Sequence, residues 1–466
     1  MQLNRRDFLR TAAATGAGAL LSRTLAAQEA AAGAKDEITV AIIGVGNQGM
    51  KLLEYAYKIP GVRFVAVCDI WKRQNQKRGR NYLRAQMKMA GKPQEQIDAI
   101  TGYSDYREML DKEKDLDAVI VATPDFWHAE HAITCLEAGK HVYCEKEMSQ
   151  TLENCRKMVE AGKKSNKMFQ IGHQRRSNPI YQLALKALHG PKICGKLTNC
   201  YGQWNRGVQE YIKLSGVRAK KLTIPEEELK KYGYENMEQF LNWRWFKKYS
   251  AGPIADLGSH QIDIFSWFLK ANPTKVLALG STSYFHREWY EDVACMYEYN
   301  TDWGGEKGSA RAYYQILNTN SFGDYYERFS GDGGALTLSE SPNRCFFVPE
   351  RGKQVPDWLA KAPSIKLSAR QKKDGTWIGQ DAYNVVEAFR AWGDEGAAGI
   401  KAIEDVEWGL HQLHLANFFN AIRANDKKVL TCPPEEAYMT AMAVLSVIPA
   451  IENGGVKTFK PEDFHA

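Results

Sequence analysis

Apolar runs of four to seven residues recur along the first part of the chain, separated by polar stretches with helical spacing, and this alternation predicts a parallel sheet flanked by helices. The runs are Ile38 to Ile43, Val62 to Cys68, Leu116 to Ala122, His141 to Cys144 and Met168 to Ile171. Between them lie a helical pattern from Met50, a basic segment to about Met89, a helix led by Pro93, a short helix from Tyr106 to Asp111 and another from about Phe126 to Ala138. The pattern then changes. Lys196 to Trp204 alternates as the first strand of a second, open sheet, whose short strands recur from about Lys275 to Leu338 with turns at Asp302 to Gly305 and Gly331 to Gly334. The polar stretch Gly207 to Gln239, with a helix start at Pro225, reads as part of a long insertion over the cleft, about 205–250. A helical pattern follows from Gly252-Pro253 to Leu269, residues 340–400 read as loop-rich, and Val406 to Ala424 and Pro434 to Glu452 read as two closing helices.

The first run carries the most specific chemistry. Ile38 to Gly49 reads as strand, glycine turn and helix, and Gly44, Gly46 and Gly49 match G-x-G-x-x-G. The first glycine allows the tight turn, the second lets backbone approach a pyrophosphate, and the third lets helix pack on strand, with the helix N-terminus and the adjoining Asn47 and Gln48 facing the phosphates. The second run ends in Asp69, 20 residues past Gly49, the position expected for an acid on a ribose hydroxyl. Such an acid favours NAD; Arg73, one turn later, keeps NADP as the fallback. Open α/β sheets bind ligands at the carboxyl edge, which places Thr123, Pro124, Trp127 and His128 along the cofactor, with Glu145, Lys146 and Gln174 delivered to the same edge by later strands.

The chain opens with Asn4-Arg5-Arg6-Asp7-Phe8-Leu9-Arg10, an Ala/Gly/Leu segment from Thr11 to Leu21 and alanine-rich cleavage territory around Ala26 to Ala34. This resembles a twin-arginine export signal. The apolar part is about half of the ~20 residues a spanning helix needs, and no cysteine precedes Cys68, so no membrane anchor is expected in the mature chain. The expected division is a leader at 1–34, a dinucleotide-binding domain at 35–172 and a substrate domain at 173–466. The net charge of +7 falls to +4 once residues 1–27, with four arginines and one aspartate, are removed, which gives no footprint for nucleic acid. Nine cysteines without a C-x-x-C pair read as small core residues, and no metal set is expected.

In the second domain, Trp204-Asn205-Arg206 ends a strand, and Asn242-Trp243-Arg244-Trp245 is unusually aromatic for a loop. Tryptophan faces suit sugar rings and arginine or asparagine suits their hydroxyls. Asp256 and His260 are four positions apart on a predicted helix and so share one face, where an aspartate fixes the tautomer of a histidine base. His411 and His414 read as structural.

These pieces, in their order and spacing, resemble the glucose-fructose oxidoreductase, inositol dehydrogenase and rhizopine-catabolism (Gfo/Idh/MocA) family. The matching segments are Gly44 to Gly49, Val67-Cys68-Asp69, Ala122-Thr123-Pro124, Ala138 to Lys146, Gly172-His173-Gln174-Arg175-Arg176 and Gly258-Ser259-His260-Gln261-Ile262-Asp263. The family's usual Glu-Lys-Pro is here Glu145-Lys146-Glu147. The resemblance implies a doubly wound Rossmann domain, a C-terminal α/β domain with an open, mostly antiparallel sheet, and a homo-oligomer formed through that sheet. It also implies that Lys146 and His260 serve a substrate hydroxyl, with Arg176, Trp204, Asn205, Trp243, Arg244 and Asp256 near the sugar. The expected activity is hydride transfer between NAD(P) and a sugar or cyclic polyol outside the cytoplasm, in the periplasm or beyond, after export through the twin-arginine machinery. A redox-neutral, NAD-dependent glycosidase and a cofactor-bound sugar-binding protein remain as alternatives.

Overall fold

A computed structural model describes residues 37–375, 377–405, 409 and 411–466; the leader and the expected helix start at Val406 lie outside them. The first sheet holds six parallel strands: β1 (Ile38–Ile43), β2 (Val62–Cys68), β3 (Thr101–Tyr103), β4 (Ala118–Val121), β5 (His141–Cys144) and β6 (Phe169–Ile171). Their order is β3-β2-β1-β4-β5-β6, so the direction of winding reverses between β1 and β4 and opens a crevice at their carboxyl ends. Every residue of β1 and β4 is buried, which is why these central strands appear in the sequence as unbroken apolar runs. β3 escapes sequence analysis because three residues between two helices carry no readable period.

The second sheet has ten strands: β7 (Leu197–Asn205), β8 (Pro273–Ser281), β9 (Asp292–Asp302), β10 (Lys307–Leu317), β11 (Tyr325–Gly331), β12 (Gly334–Leu338), β13 (Phe346–Pro349), β14 (Ser364–Gln371), β15 (Trp377–Asn384) and β16 (Val456–Thr458). Only the β7–β10 pair is parallel; the other neighbours run antiparallel. Burial alternates along β9 and β10, so the sheet has one covered face and one open face, the latter exposing Leu279 and Tyr313. Helix Ser259–Leu269 lies on the covered face against β7 and β10, and helix Pro434–Leu445 packs beside it.

Four expectations are corrected. Residues 340–400 are not loop-rich but carry β13 to β15 and the helices Asp357–Ala360, Val385–Arg390 and Gly393–Glu404. β14 lies at the free end of the sheet, where Ser364, Ile365 and Lys366 are all exposed, so no apolar alternation marks it. The last long helix is two, Pro434–Leu445 and Val447–Glu452, because Pro449 has no N–H to continue an unbroken helix through Ser446. The first helix begins at Asn47, inside the fingerprint, with Gly46 as its N-cap. Finally, helix His411–Ala424 packs through Leu415, Phe418 and Phe419 into the core behind β1, β4 and β5. His414 Nε2 bonds Ile171 O at 2.9 Å, so the chain's later part returns to the first sheet and a cut at residue 172 does not separate the packing units.

The insertion forms three short helices, Gly216–Leu222, Glu226–Lys231 and Met237–Leu241, around a small core of Ile224, Leu229, Tyr234 and Tyr249. That core is shared with Ile70, Trp71 and Phe126 of the first domain. Trp71 Nε1 donates to Leu222 O at 2.6 Å and Tyr232 Oη to Ser104 O at 3.4 Å. The insertion is therefore anchored across the carboxyl edge beyond β2.

Candidate active site between the two sheets

The glycine turn is built by contact and by openness. A Cβ on Gly44, whose φ is +88°, would lie 2.6 Å from Ala122 O, and one on Gly49 would collide with Gly44 O. A Cβ on Gly46 would meet nothing within 4 Å. The protein itself requires the first and third glycines, while the open space at the second fits a dinucleotide pyrophosphate brought close to backbone. Arg78 fixes the turn, donating to Val45 O (3.0 Å) and Gly46 O (2.9 Å), a role invisible in the motif. Asn47 is exposed at the helix start and Gln48 reaches Glu145.

Asp69 holds this loop as well as standing at the ribose position. Its Oδ2 accepts from Val45 N (2.8 Å) and Asn75 Nδ2 (3.3 Å), and Oδ1 from Trp71 N (2.8 Å). A carboxylate offers about four acceptor positions, so one remains for a ribose hydroxyl. Arg73 donates to Lys221 O of the insertion at 3.2 Å. Pro124 caps helix Asp125–Glu137, Thr123 Oγ1 contacts His131 at 3.1 Å, and Trp127 stacks on His131 with centroids 5.1 Å apart. His128 does not face a cofactor: its two ring nitrogens lie 2.7 Å from Glu147 O and Thr123 O, so it ties the β4 loop to the β5 loop.

β5 delivers Glu145 and Lys146 to the crevice. Lys146 Nζ donates to the backbone oxygen of Asp256 and, at 3.3 Å, to its Oδ1; the lysine side chain is 10% exposed. Asp256 Oδ2 also meets Arg244 Nε (3.2 Å) and Arg206 (3.9 Å), and these cations hold its carboxyl far below the usual range despite burial. His260 is buried beside Trp204, centroids 5.1 Å apart; desolvation, then Lys146 and Arg175, push its pKa well down, leaving a neutral imidazole. Among the described residues no hydrogen bond joins Asp256 to His260. Asp256 lies in a π-helical turn, Ile254–Gly258, whose wider winding breaks the α-helical spacing assumed from sequence.

Other expected substrate contacts are engaged elsewhere. Arg176 forks onto Asp263 (2.7 to 3.0 Å) and reaches Glu436 (3.1 Å). Asn205 donates to Phe322 O at 2.8 Å, Gln174 to Glu340 at 3.2 Å, and Trp243 lies against the insertion core with Arg244 over its ring. Trp204 stacks on Tyr325, centroids 4.6 Å apart, and walls the site. Around Lys146 the fold buries further titratable groups, of which Asp125 carries no sequence signal. Burial raises Asp125 and Glu145 to about 7 and Glu147 to about 8. His173 is buried with both ring nitrogens unbonded, and His411, read as structural, has its pKa lowered by burial and, among other charges, by Lys146.

An open glycine turn with an acid at the end of β2 marks a dinucleotide-binding fold, and Lys146 after β5 lies within electrostatic reach of His260 on the helix covering the second sheet. Comparison with known proteins agrees. A model described as oxidoreductase family, NAD-binding Rossmann fold matches residues 38–173, and the Gfo/Idh/MocA C-terminal domain model matches 230–315. The chain belongs to the Gfo/Idh/MocA oxidoreductase family, and its first domain is an NAD-binding one. A twin-arginine translocation signal matches residues 2–22 and indicates export; among the described residues no helix is long and apolar enough to cross a membrane. The chain is similar to a glycosyl hydrolase family 109 protein of Solibacter usitatus, 31% identical over 160 residues (34% of this chain, 35% of that protein). It is similar to inositol 2-dehydrogenase of Salmonella paratyphi B, 33% identical over 146 residues (30% and 38%). The matched stretches thus span well under half the length of these relatives. Levoglucosan dehydrogenase, solved with NADH, shares the fold at a TM-score of 0.59 and 18% identity, covering 91% of this chain and 99% of that one.

Two outcomes follow from this geometry. Gly49→Ala should lower unfolding free energy by about 1–3 kcal/mol through overpacking, whereas Gly46→Ala should leave the cofactor-free protein's denaturation curve unchanged and weaken NAD binding. Equal destabilisation by both would contradict the open second position. For Glu147, the folded state keeps its proton to about pH 8 while an unfolded glutamate releases it near 4.5, so stability falls as pH rises through that window. Glu147→Gln should therefore gain thermal stability over wild type at pH 9 relative to pH 6; parallel pH profiles would refute the buried-acid assignment.

Proposed function

We propose that this protein is an exported, periplasmic or extracellular, NAD-dependent oxidoreductase moving hydride to or from a carbon bearing oxygen on a sugar, sugar derivative or cyclic polyol. The observation that carries this reading is Lys146, which follows β5 of the first sheet, held by Asp256 and near enough to His260, on the helix covering the second sheet, for its charge to lower that histidine's pKa. Nicotinamide, when bound, supplies the hydride chemistry. The protein's part is positioning and proton handling. Neutral His260 is able to take the hydroxyl proton, a contribution typically worth about 10²–10⁴-fold. Lys146 has three ammonium donors, two of them engaged by Asp256. The third is available to an oxygen that gains negative charge during oxidation. Asp256 thus serves the lysine rather than the histidine: it holds the ammonium in place.

The same site suits a second reading, favoured by the glycosyl hydrolase family 109 relative: oxidation, elimination of a glycosidic bond and return of the hydride. Both readings share the first step, and free sugar released from a glycoside without net NADH would select the second. A homo-oligomer through the open face of the second sheet belongs to the same proposal, which oligomeric state in solution tests.

His260→Ala should reduce turnover by about 10²–10⁴-fold while NAD stays bound; near-wild-type turnover on the true substrate would remove His260 from the base role. Export of an already folded protein into a compartment without a replenished nicotinamide pool favours a cofactor inserted beforehand and kept. The insertion anchored through Trp71 and Leu222 supports slow release, and bound ligand adds about 2.7 kcal/mol of stability at a hundredfold excess over Kd. Protein dialysed after purification from the periplasm should release predominantly NAD on denaturation and work without added cofactor. An empty site with activity strictly dependent on added NAD would contradict retention.

A further inference from the structure

The mouth of the site carries more positive charge than its own carboxylates balance. Two buried arginines of this fold each receive two carboxylates: Arg175 has Glu327 and Glu340, and Arg176 has Asp263 and Glu436. Those side chains are 2% and 6% exposed. Arg206 and Arg244 are arranged differently. Their side chains are 38% and 46% exposed, and both approach the same oxygen of Asp256, whose other oxygen is taken by Lys146. Three cations share one carboxylate. The other nearby acids, Asp125, Glu145 and Glu147, are buried, and burial keeps each of them partly or largely protonated near neutral pH; Asp125 is also bonded by Ser250 Oγ at 3.2 Å.

Each guanidinium is also set in orientation. Arg206 lies over the Trp204 ring at 5.5 Å and Arg244 over the Trp243 ring at 4.3 Å. An arginine propped on an indole is a planar donor fork that loses little freedom on binding, suited to two-point recognition of a carboxylate, sulfate or phosphate. Arg244 engages Asp256 through Nε, and among the described residues no protein acceptor takes its terminal nitrogens. Neutral hydroxyls call for no such charge excess.

We propose that Arg206 and Arg244 read a negative group on the substrate, so that the preferred substrate is an anionic sugar carrying a carboxylate, sulfate or phosphate. This rests on the sugar oxidoreductase reading above and narrows its substrate class. The test is calorimetric titration of the NAD-loaded protein with matched sets: glucose against glucuronate, glucose 6-sulfate and glucose 6-phosphate, and galactose against galacturonate. At least one charged member should bind about tenfold to a hundredfold more tightly than its neutral partner. The preference should shrink with added salt. Arg206→Gln with Arg244→Gln should bring the ratio of charged to neutral affinity to about one, the readout being that ratio within the double variant rather than the neutral sugar's own affinity. The charged member that wins identifies which anion is read. Neutral sugars binding as tightly as every charged partner, or a preference that survives in the double variant, would overturn the proposal while leaving the oxidoreductase reading in place. Failure of every sugar to bind would overturn both.

Discussion

The contact between Lys146 and Asp256 is the constraint on which the site depends. Lys146 leaves the end of β5 in the first sheet, and Asp256 lies on the turn entering the helix that covers the second. The ion pair, 10% and 16% exposed, joins the two parts at the site, beside the hydrophobic core they share. A buried pair of this kind contributes little net stability, because desolvation offsets most of the attraction, but removing one partner leaves an uncompensated charge. Its value lies in geometry. Asp256, engaged by three cations, holds the lysine in a cleft that also shelters Asp125, Glu145 and Glu147.

The low polarity of that cleft acts on every titratable group in one direction, toward the uncharged form. Histidines 173 and 260 are neutral and the carboxyls of Asp125, Glu145 and Glu147 are raised, while Asp256 stays ionised through Arg244, Lys146 and Arg206. A neutral base beside a charged ammonium is the pairing that proton removal from a hydroxyl needs. The insertion completes the enclosure. It brings Arg244 to Asp256 at one end and closes over Trp71 at the other, so one segment touches both the substrate mouth and the ribose end of the crevice.

What the sequence revealed depended on whether a feature was local. The parallel sheet was legible because β1, β2, β4 and β5 are buried apolar runs, and the glycine turn because its three positions have separate steric reasons. The substrate domain was less legible. Spacing brought Asp256 and His260 to one helix face, but a π-helical turn lies between them. Arg176 and Asn205 resembled ligand contacts until their distant partners, Asp263 with Glu436 and Phe322, were in place. Arg78 and Asp125 carry no motif of their own; burial and pairing set by the tertiary fold give them their roles. The replacement of proline by Glu147 was visible in the chain, but its burial against His128 was not.

The central claim is that the cleft between Lys146 and His260 holds a sugar carbon against the nicotinamide. Its most direct test is single-turnover mixing of the NAD-loaded protein with a panel of sugars and glycosides, following reduced-nicotinamide fluorescence. For a sugar that binds, the account predicts rapid appearance of reduced cofactor, lasting for a dehydrogenase and transient for a glycosidase, and its suppression in Lys146→Ala. Tight sugar binding with no reduced cofactor at any time would contradict it.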